Sequence, residues 1–393
     1  MLKMRKIGLS LLILFMFSHG VMAEVRSSSW EKFFGGSKND EFNAIQQTSD
    51  GGYIVAGYTE SFGNGGADAW VIRLDKDGNK VWDKTFGGAK SDVANAIQQT
   101  FDGGYIVAGY TESFGNGGTD VWVIKLDKDG NKVWDKTFGG EKGDIANSIQ
   151  QTSDGGYIVA GYTESFGNGG ADAWVIRLDK DGNKLWDKTF GGEKGDVANS
   201  IQQTSDGGYI VAGYTESFGN GGADAWVIKL DKDGNKVWDK TFGGLADDVA
   251  SSILQITDGG FIIAGYMVFP FLGMDVWVIR LDKDGNMVWN KTFGGTKADN
   301  ARSIQQTKDG GFVVAGFSES FGKGTLDAWV IKLDKDGNKE WDKTFGGKDW
   351  DVAKSIQQTK DGGYIIAGFT ESFGAGGRDG WVIKLEKDKN QEK

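Results

Sequence analysis

Short apolar runs separated by Gly-rich turns recur along almost the whole chain. In the first copy, AIQQT (44–48) and YIVAGYT (53–59) flank one Asp-Gly turn, and WVIRLD (70–75) and NKVWDKTF (79–86) flank another. Asp-Gly between apolar runs indicates a β-hairpin, because Gly accepts the positive φ that such turns need. Each copy is therefore predicted to form two hairpins, which together supply four strands.

The copies repeat with a nearly constant period. The tryptophan of the WVI segment falls at residues 70, 122, 174, 226, 277, 329 and 381, which are 51 or 52 residues apart. A period near fifty is typical of radial arrays such as propellers. YIVAG and WVI are apolar at successive positions, as expected where both faces of a strand are buried because blade packs on blade. The predicted fold class is an all-β, seven-bladed β-propeller of four-stranded antiparallel blades.

The two ends of the chain carry incomplete copies, WEKFFGG (30–36) and LEKDKN (385–390). Two connections in each unit are long enough to join neighbouring blades, FGGAKSDVAN (86–95) and TESFGNGGADA (59–69). If the FGG connection crosses between blades, the last blade lacks its outer strand and residues 30–34 supply it. Crossing at the TESFGNGG connection is the alternative, and the two termini close the ring in that case too. We therefore predict closure by pairing of an N-terminal strand with the last blade.

Three repeated segments, GGYIVAGYT, DAWVIKLD and DGNKVWDKTFGG, resemble the β-propeller repeats of secreted bacterial and archaeal proteins. LDKDGNKVW is also similar to the tryptophan-docking motif of quinoprotein-type propellers, although it is one residue shorter in the turn. The resemblance covers residues 30–386. It implies the architecture and a role as a structural or binding scaffold, and no catalytic residue carries over from it.

The N-terminus has the pattern of a secretory signal peptide. Lys3, Arg5 and Lys6 precede an apolar run over residues 7–17, which is too short for a membrane span. A retained anchor is the alternative. We predict a protein of the periplasm or the cell exterior that does not insert in a membrane after signal removal. The predicted segments are a signal peptide (1–23), an N-terminal segment (24–29), the propeller (30–386) and a charged C-terminal tail (387–393).

The residue inventory excludes several kinds of site. The chain has no Cys, and its one histidine, His19, lies in the predicted signal peptide. The mature chain therefore cannot build a Ser-His-Asp triad, a Cys nucleophile or a His/Cys zinc site. Removal of the signal peptide changes the formal charge from −11 to −14, because that segment holds three basic and no acidic residues. An acidic surface repels phosphates, so no nucleic-acid partner is expected.

Acidic residues recur at fixed places in every unit. One aspartate follows FGG and another precedes the WVI strand, as Asp92 and Asp68 do in the first unit. They could form a cation site or an acidic docking ring, but acceptance of backbone N–H groups in Gly-rich loops is the favoured interpretation. The DKDGN turn resembles the start of a calcium loop but lacks the distal bidentate Glu. We expect a hairpin turn there and no cofactor, with calcium as the alternative.

Repetition also bears on activity. Fourteen of the fifteen tryptophans occupy two repeated positions, represented by Trp70 and Trp82, and we interpret both as packing between blades rather than sugar stacking. Catalysis by carboxylates needs two differently tuned groups at one site, whereas repetition supplies equivalent groups. We therefore predict a binding scaffold that is not an enzyme. The alternatives are a lectin-like, carbohydrate-binding propeller and a carboxylate-based glycosidase.

Two departures from the repeat mark a candidate binding site. In the fifth unit the polar TESFGNGG loop is replaced by an apolar segment that contains the only proline, and Trp350 has no counterpart in other units. The apolar segment is either a lid over the central channel or an exposed patch for a partner. We predict that a protein or glycan binds a monomer on the face formed by the long loops, at Phe269, Pro270, Phe271, Leu272, Met274 and Trp350.

Overall fold

The computed structural model describes residues 29–269 and 273–387, which form 28 strands in seven four-stranded antiparallel sheets. The predicted signal peptide lies outside the described residues. Blades 1 to 4 consist of β2 (Asp40–Gln47), β3 (Tyr53–Thr59), β4 (Asp68–Leu74) and β5 (Lys80–Phe86); β6 (Asp92–Gln99), β7 (Tyr105–Thr111), β8 (Asp120–Leu126) and β9 (Lys132–Phe138); β10 (Asp144–Gln151), β11 (Tyr157–Thr163), β12 (Asp172–Leu178) and β13 (Lys184–Phe190); and β14 (Asp196–Gln203), β15 (Tyr209–Thr215), β16 (Asp224–Leu230) and β17 (Lys236–Phe242).

The remaining three blades follow the same order, except that the last takes its outer strand from the N-terminus. They consist of β18 (Asp248–Gln255), β19 (Phe261–Phe269), β20 (Gly273–Leu281) and β21 (Met287–Phe293); β22 (Asp299–Gln306), β23 (Phe312–Ser318), β24 (Asp327–Leu333) and β25 (Lys339–Phe345); and β26 (Asp351–Gln358), β27 (Tyr364–Thr370), β28 (Asp379–Leu385) and β1 (Trp30–Phe34). The predicted seven-bladed propeller is confirmed.

The ring closes as the first of the two sequence-based alternatives predicts. β1 pairs antiparallel with β28, in a register that sets Trp30 opposite Lys384 and Phe34 opposite Gly380. The FGG connection joins the outer strand of each blade to the inner strand of the next, and the TESFGNGG loop joins two middle strands of one blade. Both long connections lie on one face, the long-loop face, because alternate strands run in opposite directions. The tight Asp-Gly turns lie on the other, the tight-turn face.

Each hydrophobic cluster lies between two blades, which explains the continuous apolar runs of the middle strands. One cluster packs Ile106 and Val123 of blade 2 against Val159 and Ile176 of blade 3. All seven residues of β4 are buried. At about 25 cal/mol per Å² of apolar surface, such clusters are the main stabilising contribution. Blade stacking is therefore the core of the molecule.

The outer-strand tryptophans join neighbouring blades, in agreement with the packing interpretation. Trp82 of blade 1 lies edge-on to Tyr105 of blade 2, with ring centroids 5.9 Å apart. The same indole covers Gly130 in the turn of blade 2, whose φ of 79° suits glycine and whose missing side chain leaves room for the ring. The DKDGN segment is a hairpin turn between the two outer strands, as expected.

Candidate functional site

A β-bulge in the innermost strand of each blade sets up a ring of side chains. The bulged residue is the fourth of the strand, so that Phe42 pairs with Gly57 and Ala44 with Ala56 while Asn43 has no partner. Bulges re-aim a side chain away from the regular pleat. The corresponding residues are Asn43, Asn95, Asn147, Asn199, Ser251, Arg302 and Lys354.

These bulged residues line the mouth of the central channel on the long-loop face. The mouth is a cavity of 440 Å³, to which Tyr214 and Tyr266 from the second strands also contribute. Burial raises the pKa of both tyrosines, so their hydroxyl groups stay protonated at neutral pH and can donate hydrogen bonds. The mouth therefore has polar donors and aromatic faces around an open space.

Four of the seven positions form a regular ladder of amides. The Asn43 Nδ2 donates to the carbonyl oxygen of Ala94 in the next blade at 2.9 Å, and Asn199 donates in the same way to Ala250 at 3.0 Å. Asn95 and Asn147 repeat the contact with Ala146 and Ala198. The ladder ties blades 1 to 5 together, and in each of these four contacts the amide nitrogen is the donor to a backbone carbonyl oxygen. It ends where Ser251 takes the place of asparagine.

Charged side chains replace the ladder between blades 7 and 1. Lys354 Nζ binds the carboxylate of Glu41 and also donates to the Asn43 Oδ1 at 2.9 Å. Arg378 donates to Glu41 at 2.6 Å and to Glu371 at 2.8 Å. Burial acts to raise the pKa of Glu41, but Lys354 and Arg378 outweigh it and hold the pKa below its ordinary value. Glu41 is therefore a buried, paired carboxylate.

Arg302, at the corresponding position of blade 6, is different. Within the described ranges it has no carboxylate partner, and its guanidinium carbon lies 5.8 Å from the centre of the Phe317 ring. Burial lowers its pKa below the usual value. Its side chain is nevertheless accessible to solvent from the cavity that it lines. In residues 29–269 and 273–387, therefore, no carboxylate neutralises the charge of this guanidinium at the mouth.

The recurrent aspartates have structural roles, as the favoured interpretation predicts. Asp92 accepts hydrogen bonds from the Thr111 hydroxyl, from the Ser113 hydroxyl at 2.6 Å and from the Gly88 N–H at 2.8 Å. Asp68 accepts the Asn64 N–H at 2.8 Å. Both aspartates are almost fully buried, so neither ring is displayed as an acidic docking surface. They shape the Gly-rich loops instead.

The predicted site residues fall in two places on the long-loop face. Phe269 and Met274 belong to the β19–β20 hairpin, in which Phe269 pairs with Gly273 and both predicted side chains are half-buried. Pro270, Phe271 and Leu272 lie outside the described residues. Trp350 is 47% exposed at the crossing from blade 6 to blade 7. There its backbone bridges Leu326, and Arg378 lies 5.9 Å from the centre of its ring.

The same face carries apolar groups that the sequence analysis missed. The phenylalanine of each TESFG loop is 41% to 45% exposed and packs against the tryptophan of the WVI strand, as Phe62 does against Trp70 at 5.6 Å. Leu245, in the crossing from blade 4 to blade 5, is 82% exposed. The sequence does contain a signal for these groups, because each is a large apolar residue inside an otherwise polar loop. The half-exposed residues are Phe62, Phe114, Phe166, Phe218, Phe321 and Phe373.

Comparison with known proteins places the chain in a family. The model of the family described as "Outer membrane protein assembly factor BamB" matches residues 67–269 and, in a second overlapping match, residues 171–348. The chain belongs to this family. The quinoprotein-type repeat suggested by the LDKDGNKVW motif is therefore supported. No helix within residues 29–269 and 273–387 is long and apolar enough to cross a membrane.

The individual proteins and solved structures that resemble this chain share little sequence identity with it. Regulatory protein FlaEY of Caulobacter vibrioides is 26% identical over 223 residues, which cover 48% of this chain and 23% of FlaEY. The chain therefore spans less than a quarter of that curated relative. Among solved structures, BBS1N in complex with ARL6DN is similar with a TM-score of 0.51 and 11% identity, over 93% of this chain and 99% of that chain. Puromycin hydrolase is similar with a TM-score of 0.50 and 12% identity, over 85% of this chain and 51% of that one. At these identities the likeness shows the fold alone.

These findings correct the prediction that the protein is not an enzyme. That prediction is wrong, because the same fold makes up about half of an enzyme, puromycin hydrolase. The physical reason is that the blades are equivalent in their strands but not at the channel mouth. Arg302 and Lys354 line the mouth at positions that are Asn or Ser in the other blades, and Lys354 also binds Glu41, whose position is apolar or amide in the other blades. Unlike groups therefore do meet near the mouth.

Proposed function

We propose that the protein is a binding scaffold of the cell envelope or exterior, and that its long-loop face captures a protein partner. The observation that supports this proposal is the concentration of exposed apolar groups on that face. Trp350, Leu245 and the six half-exposed phenylalanines all lie there. Aromatic side chains that are partly exposed on a rigid framework are typical anchors of protein interfaces.

The candidate contact surface is the part of that face formed by blades 5 to 7. Among the described residues it comprises the β19–β20 hairpin, with Phe269 and Met274, and Trp350. Pro270, Phe271 and Leu272, the other predicted site residues, follow Phe269 in the sequence. Long loops on a rigid scaffold vary without disturbing the sheets, so recognition is usually found on them. Blade 6 separates the hairpin from Trp350, and one partner could span both.

Relatives add support of a general kind. The family description names an assembly factor of the outer membrane, and the BBS1N structure contains a bound partner, ARL6DN. The apolar run at residues 7–17 and the family description together favour the periplasm or the cell exterior as the location. We propose no partner by name, since the chain covers a small part of the curated relative.

The proposal is tested with the double variant Phe271→Ser and Trp350→Ser. Wild type, the double variant and the control Phe101→Ser are each used to capture partners by cross-linking from the native periplasm or medium. Phe101 is a matched control because it is 75% exposed and lies on the tight-turn face. Partners identified by mass spectrometry are then purified, and their affinities are measured by calorimetry.

We expect the double variant to lose the partner while its melting temperature changes little, and the Phe101→Ser control to retain it. If the double variant loses stability and still binds the partner, these residues belong to the core and the long-loop surface is not the binding site. Partner loss in the control alone would place recognition on the tight-turn face.

A further inference from the structure

We propose that the channel mouth on the long-loop face binds a small, hydroxyl-rich ligand that carries one carboxylate, of the size and chemistry of a sugar acid. Arg302 would hold the carboxylate. This site differs from the apolar surface assigned to a protein partner, and it is built from the bulged residues of the innermost strands.

The first argument is the break in a regular pattern. The ladder of amides at Asn43, Asn95, Asn147 and Asn199 shows that asparagine satisfies the structural needs of the bulge. Ser251, Arg302 and Lys354 replace it on one side of the ring only. The fold does not require arginine at this position, yet the Arg302 guanidinium extends along the wall of a cavity. This placement points to a role in binding a ligand.

The second argument is charge. Lys354 and Arg378 are both bound to Glu41, and Arg378 is also bound to Glu371. These two cations and two carboxylates neutralise one another. Arg302 adds one further positive charge with no carboxylate partner among the residues described. The cluster therefore has a net charge of about +1, in a protein of formal charge −11, and a monoanion would neutralise it.

The third argument is geometry. A guanidinium presents parallel N–H donors that match the two oxygens of a carboxylate, which a lysine cannot do. Around Arg302 the cavity offers the protonated hydroxyls of Tyr214 and Tyr266 and the amide oxygen of Asn199, which the ladder leaves unused. The hydroxyls both donate and accept and the amide oxygen accepts, which matches the hydrogen bonds that sugar hydroxyls form. The 440 Å³ volume is in the range of small-molecule sites.

The test is isothermal titration calorimetry of the mature protein with glucuronate, glucose and glucose 6-phosphate. Glucose keeps the hydroxyls and lacks the anion, and glucose 6-phosphate replaces the carboxylate by a phosphate. We expect glucuronate to bind, glucose to bind at least about tenfold more weakly, and added salt to weaken glucuronate binding. Galacturonate and gluconate extend the panel of monocarboxylates.

The decisive variant is Arg302→Asn, which restores the residue that four other blades carry and therefore suits the fold. It should weaken glucuronate binding at least about tenfold and leave the melting temperature nearly unchanged. The matched control is Lys90→Asn, which removes the same charge from an exposed loop residue on the same face, and it should leave binding unchanged.

Several results would overturn the proposal. Equal binding of glucuronate by wild type and Arg302→Asn would do so, as would equal loss in the Lys90→Asn control. So would the absence of binding of any monocarboxylate in the panel at about 10 mM, because the proposed site makes two charge-assisted contacts to the carboxylate and further contacts to hydroxyls, which together should give a Kd below that concentration. Tighter binding of glucose 6-phosphate than of glucuronate would assign the site to phosphates instead. Because partner capture is measured separately, failure here leaves the scaffold proposal standing.

Discussion

Trp30 lies edge-on to Tyr53, with ring centroids 5.9 Å apart, although the two residues belong to the last and the first blade. Trp134 and Tyr157 form the same contact between blades 2 and 3, also at 5.9 Å. The strand that closes the ring therefore reproduces the contact that joins every other described pair of neighbouring blades. The ring is therefore closed by the same kind of interface that joins neighbouring blades elsewhere in the propeller.

The first prediction follows from this equivalence. Trp30→Ala should lower the free energy of unfolding by about 3 kcal/mol, because it removes a large aromatic group from the interface and leaves a cavity. Trp186→Ala, which removes the same contact to Tyr209 inside the ring, should cost a similar amount. Denaturant unfolding of both variants checks this. A Trp30→Ala variant as stable as wild type would show that closure contributes little.

The second prediction concerns an unpaired indole at the closure. In blade 3 the Trp174 Nε1 donates to Asp187 at 3.0 Å. In blade 7 the corresponding position opposite Ile383 is Glu31, and the buried Trp381 Nε1 has no acceptor. Glu31→Asp should supply a carboxylate at the right distance and raise the free energy of unfolding by about 1 kcal/mol.

The reciprocal variant is the control for that prediction. Asp187→Glu should leave the Trp174 indole without its acceptor and lower stability by about 1 kcal/mol. Both are measured by denaturant unfolding, with indole N–H exchange as a local readout. Equal stability of Glu31→Asp and wild type would mean that the carboxylate does not reach the indole.

Much of the fold could be predicted from sequence because the information is local and repeated. Asp-Gly turns such as Asp77-Gly78 specify hairpins, and the two half-copies at the termini specify closure. The site was less predictable. Asn43 and Arg302 occupy the same repeat position, but hydrophobic alternation does not reveal that a bulge turns this position into the channel. The acceptor of the Asn43 amide, Ala94, is 51 residues away in sequence and adjacent only once the blades stack.

The mistaken prediction about catalysis has the same origin. The prediction treats all repeated polar groups as equivalent, and this is true of buried positions such as Asp92, whose hydrogen bonds define the loops. It does not hold for residues that the fold leaves free to vary. Arg302 and Lys354 are visible in the sequence as departures from asparagine, but only the structure places them in one cavity and Lys354 against the buried Glu41.

The third prediction concerns pH. Burial raises the pKa of Asp275, and the nearby carboxylate of Asp299 raises it further. The buried Oδ1 of Asp275 also has no hydrogen-bond donor among the described residues. A folded-state pKa above the unfolded value means that stability falls as pH rises from about 4 through the raised pKa. Asp275→Asn should therefore stabilise the protein at pH 7 and have a smaller effect near pH 3.

A carboxylate with the opposite shift provides the control. Burial acts to raise the pKa of Asp206, but the Thr204 hydroxyl and Lys229 outweigh it and lower the pKa to about 2. Its contribution to stability is present above the unfolded pKa and is lost as pH falls toward 2. Asp206→Asn should therefore destabilise the protein at pH 7. Thermal melts from pH 3 to pH 7 distinguish the two, and destabilisation by Asp275→Asn at pH 7 would contradict the prediction.

The last prediction uses a second ring in the channel. On the tight-turn side, the Gln202 Oε1 accepts the Gln255 N–H of the next blade at 2.6 Å, and most blades repeat this contact. Leu254 stands at the corresponding position of blade 5 and cannot accept the N–H of Gln306. The backbone amide of Gln306 should therefore exchange with solvent faster than that of Gln255 in the unmodified protein. Gln202→Leu should raise the exchange rate of the Gln255 amide to that of Gln306 and lower the free energy of unfolding by about 1 kcal/mol. The fold should tolerate this substitution because blade 5 already has leucine at the corresponding position. Amide hydrogen exchange read by NMR measures both, and equal protection of Gln306 and Gln255 in the unmodified protein would show that these side chains do not protect the inner edge of the blades.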